Sequence, residues 1–260
     1  MKIMFLNHAP RREGDREREA RILTLLNGYA SPATSIEIHY PADLGGGAVL
    51  RQLEQRKALS GLHHILETPA LVKKIIEAER DGFDAVVQSN TFDPGVEAAR
   101  LAVRIPVVGV LRASCHFAAC LCDRFGLIVP LESHVPYVFR LVETYRMGNF
   151  VTDIKSINVY ESDMARQHNT ILQRAVSLSR EMIDRGAQAI IPLGGLLFPY
   201  EVDPKELEQE IGAPVINTKA VGIRFAELMV KSRIAHSQRA YPWSAGLSPE
   251  DISRRSEGTD

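Results

Sequence analysis

Cysteine is scarce in this chain: among 260 residues there are only three, and Cys115, Cys120 and Cys122 all fall in one short stretch that reads as a helix. An odd number gathered in one place excludes a disulfide framework and suits a reducing compartment. Zinc ligation by Cys115, His116, Cys120 and Cys122 fits a helix poorly, because positions 115 and 122 share a face while 120 lies off it. The expected metal content is therefore none, and the plainer use of the thiols is as small buried apolar groups. Long hydrophobic runs are also missing. Nothing approaches the roughly 20 apolar residues of a membrane span, and Met1-Lys2-Ile3-Met4-Phe5-Leu6-Asn7 passes straight into a strand pattern. A soluble, cytoplasmic protein is expected. Excess charge is absent as well, since a formal net charge of −1 lacks the basic surplus of a nucleic-acid-binding surface. Arg11, Arg12, Arg16 and Arg18 interleave with Glu13, Asp15, Glu17 and Glu19, the pattern of a solvated helix face.

What is present is apolar material, 45% of the chain against 24% charged, enough for one large or two modest domains. It comes in short runs. Lys2 to Asn7, Ser35 to Tyr40, Asp84 to Ser89, Pro106 to Val110, Gly126 to Val129, Ser156 to Tyr160, Gln188 to Leu193 and Pro214 to Asn217 read as strands. Between them Arg11 to Asn27, Leu50 to Leu66, Pro69 to Asp81, Val96 to Val103, Ser114 to Arg124, Val135 to Arg146, Asp163 to Arg185, Pro204 to Ile211 and Ala220 to Lys231 read as helices. Strands alternating with helices predict an α/β fold whose parallel sheet is covered on both faces. Gly45-Gly46-Gly47 lacks the spacing and the Gly-Lys-Ser/Thr of a phosphate loop and reads as a flexible loop.

In such folds ligands sit beyond the carboxyl ends of the strands. That rule selects Asn7, Ser89-Asn90-Thr91, Gly194-Gly195-Leu196 and Asn217 to Lys219. Backbone N–H groups left unpaired at a turn after a strand make it a candidate anion cradle, and two facing cradles would form a cleft for a small carboxylate or imide. Taken singly, each turn is an ordinary use of turn-forming residues. Asp93 before Pro94 reads as the cap of the helix that follows.

At these positions the chain resembles the aspartate/glutamate/hydantoin racemase superfamily, most closely its hydantoin racemase branch. The resemblance is carried by Met4-Phe5-Leu6-Asn7, Ser89-Asn90-Thr91-Phe92-Asp93-Pro94-Gly95, Pro106-Val107-Val108-Gly109, Arg124-Phe125-Gly126-Leu127-Ile128 and Leu193-Gly194-Gly195, with Ser237 to Pro242 near the end. It implies two pseudo-symmetric lobes, each a mostly parallel sheet flanked by helices, with substrate between them. One lobe would comprise residues 1–105 plus 217–243 and the other 106–216, leaving 244–260 as a tail expected to be disordered. It also implies cofactor-free chemistry by two cysteines, one per lobe, that remove and return a proton at a carbon beside a carbonyl or carboxylate.

This sequence has neither thiol. The first position is Ser89, or Asn90 if the turn is aligned on Asp93-Pro94-Gly95, and the second is Gly195. A serine hydroxyl needs a partner base to react, and glycine has no side chain, so two-thiol racemisation does not carry over. Candidate replacements are Ser89 itself, Lys219, Cys115, His116 and Asp93. A lysine in a closed pocket can be tuned toward neutrality, although a solvated lysine in the first turn of the closing helix is the plainer expectation for Lys219. Asn7, Asn90, Thr91, Arg112, Gly194, Gly195, Leu196 and Asn217 are the candidate substrate-binding residues, with Arg112 able to pair a carboxylate bidentately. The expected activity is a racemase or isomerase reaction on a small amino-acid-derived or hydantoin-like substrate. A decarboxylase of the same superfamily and a non-catalytic small-acid binder are the alternatives. No cofactor, nucleic acid or membrane partner is expected, and a homo-oligomer is.

Overall fold

The computed structural model describes residues 1–11, 15–43, 52–53, 61–159 and 167–243. Its strands β1 (Lys2–Leu6), β2 (Ser35–His39), β3 (Ala85–Gln88) and β4 (Val107–Gly109) form one parallel sheet in the order β2-β1-β3-β4. A second parallel sheet holds β5 (Phe125–Val129), β6 (Val151–Ser156) and β7 (Ala189–Pro192) in the order β6-β5-β7. The connecting helices are α1 (Asp15–Tyr29), α2 (Gly61–Arg80), α3 (Val96–Arg100), α4 (Val110–Ala119), α5 (Val135–Thr144), α6 (His168–Asp184), α7 (Pro204–Ile211) and α8 (Thr218–Lys231). No helix among the described residues is long and apolar enough to cross a membrane.

The central strands β1, β3, β5 and β7 are almost wholly buried because each serves two cores, whereas the edge strands β2 and β6 carry polar and charged residues. Side chains alternate across a strand, so Ile3 and Phe5 of β1, Val87 of β3, Phe125 and Leu127 of β5 and Ile191 of β7 enter one cluster that runs continuously between the two sheets. Their neighbours point the other way. Met4, Leu6, Val86 and Val107 pack with Leu71 and Ile75 of α2, and Ile128 and Ile190 pack with Ile171 and Met182 of α6. Each such side chain, fully buried, contributes about 1.5–3 kcal/mol relative to exposure. The shared middle core holds the sheets in one relation, and with it the strand ends that open toward each other.

Several boundaries differ from the sequence expectation. β4 pairs with β3 through Val86 to Val107 and Val87 to Val108, so the first sheet runs past residue 105 to Gly109. The expected strand from Ser156 to Tyr160 lies earlier, at Val151–Ser156. The one expected from Pro214 to Asn217 is reduced to a single bridge between Ile190 and Val215. Helix α4 starts at Val110 rather than Ser114 because the Asp93 carboxylate accepts the N–H groups of Leu111 and Arg112, at 2.9 Å each. Asp93 is thus a cap, but for α4. Its own backbone is left-handed at φ 51°, and Gly95 occupies the cap position of α3. Helix α2, Gly61–Arg80, carries Pro69 inside it and joins the end of the helix expected over 50–66 to the one expected from Pro69. The glycine run 45–47, most of the helix expected over 50–66 and the tail 244–260 lie outside the described residues.

Candidate active site

The carboxyl ends of β1, β3, β5 and β7 converge on a cavity of about 120 Å³. Asn7 and His8 follow β1, Ser89 to Phe92 follow β3, Pro130, Leu131 and His134 follow β5, and Gly194 to Leu196 follow β7. His63 and His64 of α2, Val159, Tyr200 and Lys219 complete the lining. The two turns singled out in the sequence do face each other, and they touch: the Gly194 N–H donates to Thr91 Oγ1 at 2.8 Å across the lobes.

That contact alters the expected cradles. In the first turn Ser89 N–H donates to the Leu6 carbonyl, Asn90 N–H to Gln88 Oε1 and Phe92 N–H to Asn90 Oδ1. In the second, Gly194 N–H is taken by Thr91. The N–H groups of Thr91, Gly195 and Leu196 are left without a partner among the described residues. Neither turn leads directly into a helix, so no helix dipole reinforces them.

Lys219 is the site's central surprise. Asn217 caps α8, its Oδ1 accepting the N–H groups of Lys219 and Ala220 at 3.1 Å each, which places Lys219 in the first turn. Glu227, one face along α8, accepts from Ser31 and Thr34 and ties the helix to the loop before β2. The Lys219 side chain is 0% exposed, not solvated, and its ammonium donates to the Ser89 carbonyl. A Cβ added to Gly195 would lie 3.1 Å from Lys219 Nζ and 3.2 Å from Cε. The missing side chain of Gly195 is the room that the lysine amine occupies. Burial lowers the Lys219 pKa from 10.5 to about 7, with the charge of Asp93 pulling weakly the other way.

The far wall is aromatic and carries four histidines, none of which the sequence reading selected. The His63 and His64 rings lie tilted 3.7 Å apart between centroids, His64 lies 5.1 Å from Phe92 and stacks on Tyr137 at 5.5 Å, and Phe92 lies 4.8 Å from His134. Burial holds His64 neutral, reinforced by the neighbouring imidazoles, and pushes His134 down to about 4. No grouping of His, Cys, Asp and Glu among the described residues has the arrangement of a metal site.

Five selected residues lie elsewhere. Cys115 is in the middle core, where burial pushes its thiol well up and out of reach of ionisation. His116 Nδ1 sits 2.8 Å from the Arg112 carbonyl, one turn back along α4. The Arg112 guanidinium is engaged by Glu97 and by the Tyr241 hydroxyl near the chain's end, outside the cavity. Asn217 acts as the helix cap just described. Asp93 is buried against α4, where it also accepts from the Tyr145 hydroxyl at 3.0 Å; burial raises its pKa despite those donors.

Comparison with known proteins places the fold. A hydantoin racemase of Pseudomonas sp. (strain NS671) is 29% identical over 165 residues, which is 64% of this chain and 66%, just under two thirds, of that protein. A hydantoin racemase of Rhizobium meliloti is 28% identical over 189 residues, covering 70% of this chain and 76% of that one. Among solved structures, the allantoin racemase of Pseudomonas fluorescens superposes with a TM-score of 0.80 at 18% identity, over 95% of this chain and 99% of that one. The profile of the Asp/Glu/Hydantoin racemase family matches residues 21–226, a span that takes in both sheets apart from β1 and reaches Lys219. The chain belongs to the Asp/Glu/hydantoin racemase family.

Proposed function

We propose that this protein is a cofactor-independent racemase-type isomerase that inverts the carbon beside a carbonyl in a small hydantoin-like ring, with Lys219 as a proton-transfer group where its relatives' second thiol would stand. The observation that carries this is the buried amine against Gly195. A pKa near 7 keeps amine and ammonium both available at neutral pH, the condition for a general acid and base. The free N–H groups of Thr91, Gly195 and Leu196 suit a carbonyl oxygen that gains negative charge as the proton leaves.

Charge selects the substrate class. Among the described residues the cavity lining contains Lys219 but no arginine, aspartate or glutamate. The ammonium of a free amino acid would find no carboxylate there, and a dicarboxylate or malonate would find one cation for two charges. A neutral ring with carbonyl and N–H edges leaves nothing unpaired. This favours the hydantoin-like substrate over the decarboxylase alternative, and the assembly in solution is taken to be a homo-oligomer.

The test is proton exchange in deuterated buffer, followed by NMR, with hydantoins, free amino acids and arylmalonates offered separately. Deuterium entering the ring carbon of hydantoins alone is the expected result. Carbon dioxide release from a malonate, or thermal stabilisation by these compounds with no exchange, would replace the reading with a lyase or a binder.

A further inference from the structure

Inversion needs a second proton-transfer group on the face away from Lys219. Ser89 is poorly placed for it, since its hydroxyl donates to Asn7 Oδ1 at 3.2 Å and the amine that contacts this residue, at its carbonyl, is Lys219 itself. The remaining titratable groups among the described residues of the cavity are Tyr200, whose hydroxyl is pushed well up by burial and whose ring lies beside Gly195 on the Lys219 side, and the histidines on the aromatic wall.

Two of these, His64 and His134, are 1% and 3% exposed, with both ring nitrogens buried and without a hydrogen-bond partner. Such a ring is costly unless something answers it, and a substrate in the cavity is what can. They differ in how they are packed. The His64 ring is wedged among His63, Phe92, Tyr137 and His8, so protonating it would set a charge among other imidazoles. His134 packs its ring against Phe92 and feels the charge of one imidazole, His63, where His64 feels three, and it enters from the second lobe, on the turn that leads into α5. Lys219 reaches the cavity from α8 and contacts the Ser89 and Gly195 turns, and no hydrogen bond or ion pair joins it to His134 among the described residues.

We propose that His134 is the second proton-transfer residue, working on the face of the substrate opposite Lys219; this rests on the racemase reading above. In one direction the neutral imidazole nitrogen takes the proton, and the C–H electron pair stays on the substrate as an enolate. The Lys219 ammonium then delivers a proton to the other face. The imidazolium and amine left behind are the starting pair for the reverse direction, so the two residues share one proton. Burial and the neighbouring His63 keep His134 neutral at neutral pH, which is the form that accepts.

The experiment follows the hydantoins of L-valine and of D-valine separately in deuterated buffer with the full chain. Wild type is expected to invert both. His134→Gln is expected to keep deuterium exchange without inversion for one enantiomer, through Lys219, and to lose exchange of the other by at least about 100-fold. Melting temperature checks the fold, and His134→Asn serves if the glutamine variant does not fold. Inversion in both directions within about a factor of three of wild type, or equal loss of exchange from both enantiomers, overturns the assignment. If wild type exchanges neither hydantoin, the racemase reading itself fails and this proposal with it.

Discussion

Replacing Lys219 by methionine removes a buried amine while keeping an unbranched apolar side chain of similar length. A pKa lowered from 10.5 to about 7 corresponds to roughly 5 kcal/mol at about 1.4 kcal/mol per unit. The folded protein holds this proton less tightly than the unfolded chain does. Between about pH 7 and pH 10.5 the unfolded chain therefore binds more protons, and wild-type stability rises with pH across that window. Below it the full penalty is present, and above it the penalty has gone. Lys219→Met carries no such dependence, while it gives up the hydrogen bond to the Ser89 carbonyl at any pH, a loss of about 1.5–3 kcal/mol. The variant should thus be the more stable protein near pH 6 by a few kcal/mol, and its advantage should shrink by roughly 5 kcal/mol as pH rises toward about 10. Urea unfolding of both proteins at a series of pH values reads this directly, provided the slopes agree. A stability difference constant within about 1 kcal/mol over the whole range would refute the reasoning, because it would mean that the lysine titrates as an ordinary one.

Other perturbations test the frame around that amine. Thr91→Val leaves the Gly194 N–H without its acceptor across the lobes; urea unfolding should show a loss of about 1–3 kcal/mol. Asp93→Asn turns an amide toward two backbone donors at the start of α4, and a similar loss of about 1–3 kcal/mol is expected by the same assay. Gly195→Ala puts a methyl group 3.1 Å from Lys219 Nζ, so the amine must shift by a few tenths of an ångström. Racemisation kinetics should show kcat reduced by about 10-fold or more, with a smaller effect on KM.

Much of the fold could be read from the chain because buried parallel strands leave unbroken apolar runs, and the two-core alternation of Ile3 and Phe5 against Met4 and Leu6 explains why. The strand-end rule likewise found Asn7, Ser89 to Thr91 and Gly194 to Leu196. Lys219 was selected but expected in solvent, since local pattern shows a lysine in a helix's first turn and cannot show that Gly195 leaves a hole for its amine. His63 and His64 fell in the helix read over Leu50 to Leu66, but nothing local shows that this end of it continues through Pro69 and turns both rings onto the cavity. His134 sits on a short turn with no period to mark it. Arg112 and Asn217 fell outside the cavity because their side chains are spent on Tyr241 and Glu97 and on capping α8, contacts that depend on chain distant in sequence or on helix geometry.

The central claim is that a buried lysine moves the proton. Optical rotation of the L-valine hydantoin, followed with wild type and with Lys219→Met at equal concentration near neutral pH, tests it most directly. Wild type should bring the rotation to zero, with the variant slower by at least about 100-fold while folded; a variant that racemises within about a factor of three of wild type would contradict it.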